Sequence, residues 1–330
     1  MRSSALLPVL VVVAAAGCTS DLPDSEPVEI VIPDGAAFST VVDTLEARSL
    51  VSRPGLFTVY ARARGADREI RAGRYLLTAG SSWSTLLDVL TTGRVVPRAL
   101  TIPEGWTLRQ MAPRIAEVSG VPQEAVETLL ASDSLAEALS VPGPGLEGYL
   151  FPDTYHFAEG VPPSQVVSAM ARAYQDFWTP ERQARLDSLG MTRTELTTLA
   201  SIIQAEAAHV EEMPLISGVY HNRLREGWLL QADPTVLYAL GGPRERLLYA
   251  AIDSVADSPY NTYRQPGLPP GPIGAPGFDA LEAALNPAQV PYMFFVVGPD
   301  GGHVFSTTMA EHNRAVAEYR RRRSGTSGAP

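Results

Sequence analysis

A single glutamate lies on the apolar side of a predicted helix in the stretch "TELTTLASIIQAEAAHVEE", residues 194–212. A helical period of about 100° per residue places four apolar residues on one face, Leu199, Ile202, Ile203 and Val210. Glu206 follows Ile202 and Ile203 by one turn, so it points the same way. A carboxylate among apolar side chains costs several kcal/mol unless it is paired or neutralised. An ion pair with an arginine and a protonated carboxyl kept for proton transfer are both open interpretations.

Other kinds of catalytic chemistry find little support in the composition. All 26 basic residues are arginine, which excludes a Schiff-base lysine, a phosphate-loop lysine and a lysine general base. The five histidines are scattered singly beside one cysteine, and no G-x-S-x-G occurs. We therefore expect no metal and no cofactor. The net charge of -10 also argues against a nucleic-acid partner.

The sequence around Glu206 is dense in neutral hydrogen-bonding and aromatic groups. Amides bind sugar hydroxyls, and aromatic rings stack on the apolar faces of sugar rings, so this mixture suits a neutral sugar. A general acid for a glycosidic oxygen must stay protonated near neutral pH, and partial burial on an apolar face achieves that. The residues concerned are Tyr149, Tyr155, Tyr220, Asn222, Gln231, Thr235, Tyr260, Asn261 and Tyr263.

The first residues resemble an export signal. Residues 1–17 contain one arginine and an apolar run that is short for a membrane-spanning helix. They end in small residues before Cys18, as in bacterial lipoproteins, and residues 18–27 form an acidic, proline-containing tether. We expect a protein exported from the cytoplasm and anchored to a membrane by a lipid on Cys18. Whether this is the inner or the outer membrane stays open.

A weak internal repeat follows the tether. Ile-Pro-acid-Gly occurs at residues 32–35 and again at 102–105, each time between a β-like run and an amphipathic helix. Two copies are too few for a solenoid. They predict two small α+β modules, at residues 28–98 and 99–141.

The remaining sequence predicts a mixed helix and β-hairpin domain at residues 142–320, followed by a polar tail at 321–330. Helical pattern dominates residues 163–189 and the Glu206 stretch, and a further helix is predicted between Pro214 and Gly227. Residues 259–277 are too rich in proline and glycine for a helix or a central strand. Alternation around residues 299–302 indicates a β-hairpin, so the fold class is α+β.

Five blocks of the chain stand in this order: "LEGYLFPDTYHF", "LASIIQAEAAHVEEMPLISGVYHNRL", "LQADPTVLYAL", "YNTYRQPGLPPGPIGAPGFDALEAALNPA" and "YMFFVVGPDGGHVFSTTMAEHN". Together they resemble the YceG-like family of endolytic murein transglycosylases. The resemblance covers residues 28–320. It implies cleavage of the β-1,4 bond between N-acetylmuramic acid and N-acetylglucosamine inside peptidoglycan strands, which leaves a 1,6-anhydro end. It also implies that the N-terminal modules are similar to LysM modules.

The resemblance places the family's catalytic glutamate at Glu206, as both acid and base. The family often has a second glutamate two residues earlier, where this chain has Gln204, predicted on the polar side of the helix. The resemblance implies peptidoglycan strands as substrate and peptidoglycan synthases as neighbours. Nine residues are expected to orient the substrate or to support Glu206: Gln231, Asp233, Thr235, Asn261, Thr262, Tyr263, Tyr149, Asp153 and Asn222.

Two other functions stay open from the sequence. One is a peptidoglycan hydrolase that uses Glu206 together with Asp233 or Asp153 as base or nucleophile. The other is a non-catalytic, peptidoglycan-binding lipoprotein that keeps the fold as a scaffold.

Overall fold

The computed structural model describes residues 28–93, 98–157, 160–244, 247–298 and 301–326. The chain divides between residues 96 and 97 into two compact units. The predicted export signal, the lipid site at Cys18 and the tether lie outside the described residues. Within the described ranges, no helix combines the length and the apolar character needed to cross a membrane.

The first unit is a small α+β structure with its own core. Its two strands, β1 and β2, pair antiparallel, with Ile30 opposite Tyr75. Val41, Val42 and Leu45 are buried against this sheet, as the amphipathic pattern predicts. The elements are β1 (Val28–Ile32), α1 (Phe38–Ala47), α2 (Pro54–Ala63), a short 3-10 helix (Ala66–Arg68), β2 (Gly73–Leu77) and α3 (Trp83–Thr92).

The second unit begins with a similar arrangement. Its strands β3 and β4 pair antiparallel, with Leu100 opposite Tyr155. The residues predicted as a separate module, 99–141, therefore share a sheet with residues beyond 141, and they share a hydrophobic core with them as well. The elements are β3 (Arg98–Thr101), α4 (Leu108–Ser119), α5 (Gln123–Leu130), α6 (Asp133–Ala138) and β4 (Thr154–Phe157).

The rest of the second unit is mainly helical and ends in a hairpin and a helix. The hairpin pairs Phe294 with Ser306 and Val297 with His303. The last helix extends past residue 321, where the polar tail is predicted to begin. The elements are α7 (Pro163–Asp176), α8 (Pro180–Leu189), α9 (Arg193–Glu206), a 3-10 helix (Val210–Glu212), α10 (Met213–Arg225), α11 (Asp233–Ala239), α12 (Tyr249–Ser254), α13 (Phe278–Leu285), β5 (Phe294–Val297), β6 (His303–Ser306) and α14 (Met309–Thr326).

Helix α9 lies at the centre of the second core. It begins with a capping box, in which Thr192 and Glu195 satisfy each other's backbone N–H groups at 2.7 and 3.2 Å. Residues 196–203 are all buried, and α9 packs against α10, α11 and α13. A helix that is buried on nearly every side is a rigid support for the residue at its end.

The predicted extent of this helix is wrong at its C-terminal end. The helix stops at Glu206, Ala207 is extended, and Val210 is 49% exposed in the short 3-10 helix. Alanine is the best helix former, so local propensity gives no reason for the helix to stop before Ala207 and Ala208. The segment that follows the helix is held by a long-range contact, in which Glu212 is bonded to His303 in β6.

Three other predictions of local structure are confirmed. Helix α10 has Pro214 in its first turn and ends before Gly227, whose φ of +69° favours glycine. The hairpin forms, although residues 299 and 300 of its turn lie outside the described ranges. Residues 259–277 contain neither helix nor strand, yet Asn261 and Thr262 are buried.

Candidate active site

Glu206 is the last residue of α9, one turn after the fully buried Ile202 and Ile203. Its Oε1 accepts a hydrogen bond of 3.0 Å from the hydroxyl of Tyr220, which lies buried on α10. The residue as a whole keeps intermediate exposure, whereas its carboxyl group is densely surrounded by protein atoms. Glu206 forms no ion pair with any described residue, so the structure does not support the ion-pair interpretation.

Burial raises the pKa of Glu206 to about 7. The hydrogen bond from Tyr220 opposes this rise, the charge of Asp233 adds to it, and the charge of Arg223 opposes it. A carboxyl group with a pKa near neutrality can both donate and accept a proton at physiological pH.

Arg223 is the nearby cation that sequence reasoning missed. It follows Tyr220 by three residues on α10, so both side chains lie on the same side of that helix. Its guanidinium donates to the carbonyl oxygens of Met293 at 2.8 Å and Leu230 at 2.5 Å. Because these bonds commit the guanidinium to the backbone, Arg223 acts on Glu206 through its charge alone.

Asp233 and Tyr263 form a second polar pair near Glu206. The Tyr263 hydroxyl donates to Oδ1 of Asp233 at 2.5 Å, and Asp233 is exposed at the start of α11. Burial, and next the hydrogen bond to Asp233, raise the pKa of Tyr263, and Glu206 adds a smaller contribution. The predicted grouping of Asp233, Tyr263 and Glu206 is therefore present in the structure.

Thr235 and Thr262 are buried residues close in sequence to Asp233 and Tyr263. Their hydroxyl oxygens are 2.9 Å apart. The Thr262 carbonyl accepts the N–H of Gln231 at 3.1 Å. Gln231 is exposed and has a φ of +47°, a left-handed conformation that costs free energy for a residue other than glycine. The structure thus holds Gln231 in a strained conformation beside the candidate site.

Asn261 is buried and ties the loop of Tyr263 to α12. Its Nδ2 donates to the carbonyl oxygens of Ile252 at 2.9 Å and Val255 at 3.1 Å. Its Oδ1 accepts the N–H of Tyr263 at 3.1 Å. With all these groups engaged, Asn261 supports Tyr263 and offers no free group to a ligand.

Three of the predicted site residues make their contacts elsewhere. Tyr149 is fully buried, with its ring 5.2 Å from that of Tyr174. Asp153 is exposed and accepts the N–H of Thr154 at 2.7 Å. The Asn222 amide donates to the carbonyl oxygens of residues 290 and 292 at 2.8 and 2.9 Å, which anchors the segment that leads into β5.

Gln204 was predicted on a polar face, and the structure corrects this. Its Oε1 accepts the N–H of Gly277 at 3.0 Å, the residue that precedes α13. The same loop pairs with the second Ile-Pro-acid-Gly turn, through Gly105 N–H to the Ala275 carbonyl at 2.7 Å. Gln204 therefore joins α9 to that loop.

A second buried carboxyl also escaped sequence reasoning. Burial raises the pKa of Glu147 to about 7, against the opposing hydrogen bonds from the Leu108 N–H and Tyr238. Those bonds measure 3.1 and 3.4 Å. Glu147 lies in the proline- and glycine-rich segment before β4, where no periodic pattern marks a residue as buried. Among the described residues, no group of acidic, histidine or cysteine side chains is arranged to hold a metal ion.

Known proteins resemble this chain over most of its length. It is 32% identical to an endolytic murein transglycosylase of Bacillus subtilis, over 88% of this chain and 84% of that protein. It is 33% identical to one of Streptococcus pneumoniae, over 88% of this chain and 58% of that longer protein. A crystal structure of a YceG-like protein from Listeria monocytogenes matches with a TM-score of 0.60 and 31% identity, over 88% of this chain and 99% of that one. The profile of the YceG-like family matches residues 30–318, and the chain belongs to that family.

Proposed function

We propose that this protein is an endolytic murein transglycosylase in which Glu206 is the only catalytic acid and base. The family and the names of the relatives support the reaction class. The state of Glu206 carries the assignment of the residue. It combines a pKa of about 7, a rigid position at the end of α9 and the lack of an ion pair among the described residues.

The reaction needs one carboxyl group in two protonation states. Protonated Glu206 gives its proton to the glycosidic oxygen, and the bond from C1 of the muramyl sugar to that oxygen breaks. The C6 hydroxyl oxygen of the same sugar then bonds to C1, and its proton passes to the Glu206 carboxylate. The acid is regenerated, and neither water nor a second carboxylate takes part.

The exposed groups beside Glu206 are proposed to orient the glycan. Asp233 and Tyr263 present a carboxylate and a phenol that interact electrostatically with Glu206, and Gln231, two residues before Asp233, offers an exposed amide. Buried side chains support these groups through hydrogen bonds, namely Thr235, Thr262 and Asn261.

Mass spectrometry of the products of purified murein tests the reaction. The full-length chain should release fragments that end in 1,6-anhydro-muramic acid. Glu206→Gln should release none, whereas Glu211→Gln, at an exposed neighbouring carboxylate, should act as wild type. Reducing-end muramic acid carrying one oxygen from labelled water would mean a hydrolase instead.

The repeated strand and helix arrangements are proposed to bind glycan as LysM-like modules. In each arrangement, two strands pair antiparallel and helices lie between them in the sequence. This order occurs from β1 to β2 and again from β3 to β4. Deleting residues 28–93 should weaken the co-sedimentation of the Glu206→Gln chain with insoluble murein. Unchanged co-sedimentation contradicts a binding role for the first module.

Cys18 is proposed as a lipid anchor that keeps the enzyme on a membrane outside the cytoplasm. The apolar run and the small residues before Cys18 support this. Labelled fatty acid should be incorporated into the wild-type chain and not into Cys18→Ser, and equal labelling of both chains rules the site out. Peptidoglycan synthases as partners remain a prediction from the family.

A further inference from the structure

The segment that follows Glu206 is bonded to the hairpin β5–β6. Glu212 accepts two hydrogen bonds from His303, one from its backbone N–H at 2.6 Å and one from the ring Nδ1 at 2.8 Å. The side chain of Glu212 is only 16% exposed, and that of His303 only 6%. The approach is close, because a Cβ on Gly302 would lie 2.5 Å from the Glu212 carboxylate. Two bonds to a largely buried carboxylate make this contact specific.

Ring contacts lead from this pair to the candidate catalytic carboxyl. The ring of His303 meets that of Phe295 edge to face, with centroids 5.3 Å apart. Phe295 in turn meets Tyr220 edge to face at 5.8 Å. Tyr220 donates the hydrogen bond that Glu206 accepts. Phe295 is therefore one side chain away from the carboxyl that must change protonation state.

The two ends of the hairpin are held by different residues. Asn222 and Arg223 bond the backbone of residues 290–293, just before β5. Glu212 bonds the first residue of β6, at the end nearest the turn. Losing the Glu212 bonds would leave residues 290–293 attached and would free the His303 ring that packs against Phe295.

We propose that Glu212 and His303 are a positioning pair that keeps Phe295 against Tyr220 and so fixes the surroundings of Glu206. This inference rests on the proposed role of Glu206 and assigns a role to two residues that form no hydrogen bond with it.

A change in the acidity of Glu206 is the expected consequence of breaking the pair. The charged and titratable groups that face Glu206 are Tyr220 and Arg223 on α10, Asp233 on α11 and Tyr263 in the loop beyond α12. Burial is the largest cause of the raised pKa of Glu206. When Phe295 moves away, water gains access and the pKa of Glu206 falls. Glu206 then loses its proton, and the enzyme its general acid, at a lower pH.

The pH dependence of kcat/KM, which reports the free enzyme, is the test. With wild-type enzyme, the rate of murein solubilisation should fall above about pH 7, the pKa of Glu206. In Glu212→Ala and His303→Ala this fall should move to lower pH by about one unit. The double variant should move no further, since both changes break one contact.

Three variants make the test specific. Glu212→Gln keeps an acceptor for the His303 N–H and should restore most of the wild-type profile. Glu211→Ala, at an exposed neighbouring carboxylate, should leave the profile unchanged. Phe295→Leu removes the ring and leaves the pair of Glu212 and His303 intact. It should by itself lower the pH at which kcat/KM falls. If Glu212→Ala does not fold, this variant tests the inference.

If kcat/KM falls at the wild-type pH in a folded, active Glu212→Ala variant or in Phe295→Leu, the inference is overturned. The proposed reaction would still stand. Full activity of Glu206→Gln would instead remove the proposed reaction, whatever the profiles show.

Discussion

The second unit contains two half-buried glutamates with raised pKa values and different surroundings. Burial raises the pKa of both Glu206 and Glu147 to about 7. Both oxygens of Glu147 accept hydrogen bonds, one from the first N–H of α4 and one from Tyr238. Glu206 accepts only the bond from Tyr220, and no described residue donates to its Oε2.

This difference, and not acidity, distinguishes the proposed catalytic carboxyl from Glu147. Glu147 caps the N-terminus of α4 and links it to α11, which is a structural task. Glu206 ends a rigid helix and has an oxygen left for a ligand. The available oxygen, more than the pKa, separates the two glutamates.

Neutral substitutions of the two glutamates should have very different effects on turnover. Glu206→Gln removes the proton donor and should lower kcat by about 10²- to 10⁴-fold or more. Glu147→Gln keeps an acceptor for the Leu108 N–H and should change kcat less than about threefold. Initial rates of murein solubilisation at pH 6.5 measure both. Comparable losses in the two folded variants would break the distinction and favour a mechanism with two carboxyl groups.

The same two variants should behave alike in their stability. An acid with a raised pKa in the folded state weakens folding as pH rises above its unfolded value of about 4.5, and the loss is complete above about 7. Each Gln variant should therefore be more stable than wild type at pH 8, by at most about 3 kcal/mol, with no gain at pH 4. Urea unfolding at both pH values measures this. A Glu206→Gln chain less stable than wild type at pH 8 would mean that the carboxylate has a structural partner.

The smallest expected effect concerns the tyrosine partner of each carboxyl. The hydrogen bond from Tyr220 lowers the pKa of Glu206, so Tyr220→Phe should raise it and move the fall in kcat/KM to higher pH by about half a unit. Tyr238→Phe should leave that profile unchanged, because Tyr238 bonds Glu147. Both substitutions keep the ring. A shift in the Tyr238→Phe profile would show that Glu147 contributes to the titration seen in catalysis.

The sequence by itself determined the α+β class, the main elements and the residue at the end of α9. These rest on local signals, namely helical and strand periodicity, Pro214 at a helix start, Gly227 after a helix end and the proline-rich run at residues 259–277. Glu206 stood out because a charge on an apolar face is costly wherever the helix packs.

Only the tertiary structure decided where α9 ends and which groups surround Glu206. The segment after α9 is bonded through Glu212 to His303, 91 residues away, and the side chain of Gln204 is bonded to Gly277, 73 residues away. Arg223 and Glu147 likewise take their surroundings from distant segments. Periodicity and caps report neighbours within a turn or two, whereas burial and hydrogen-bond partners at this site depend on how distant segments pack.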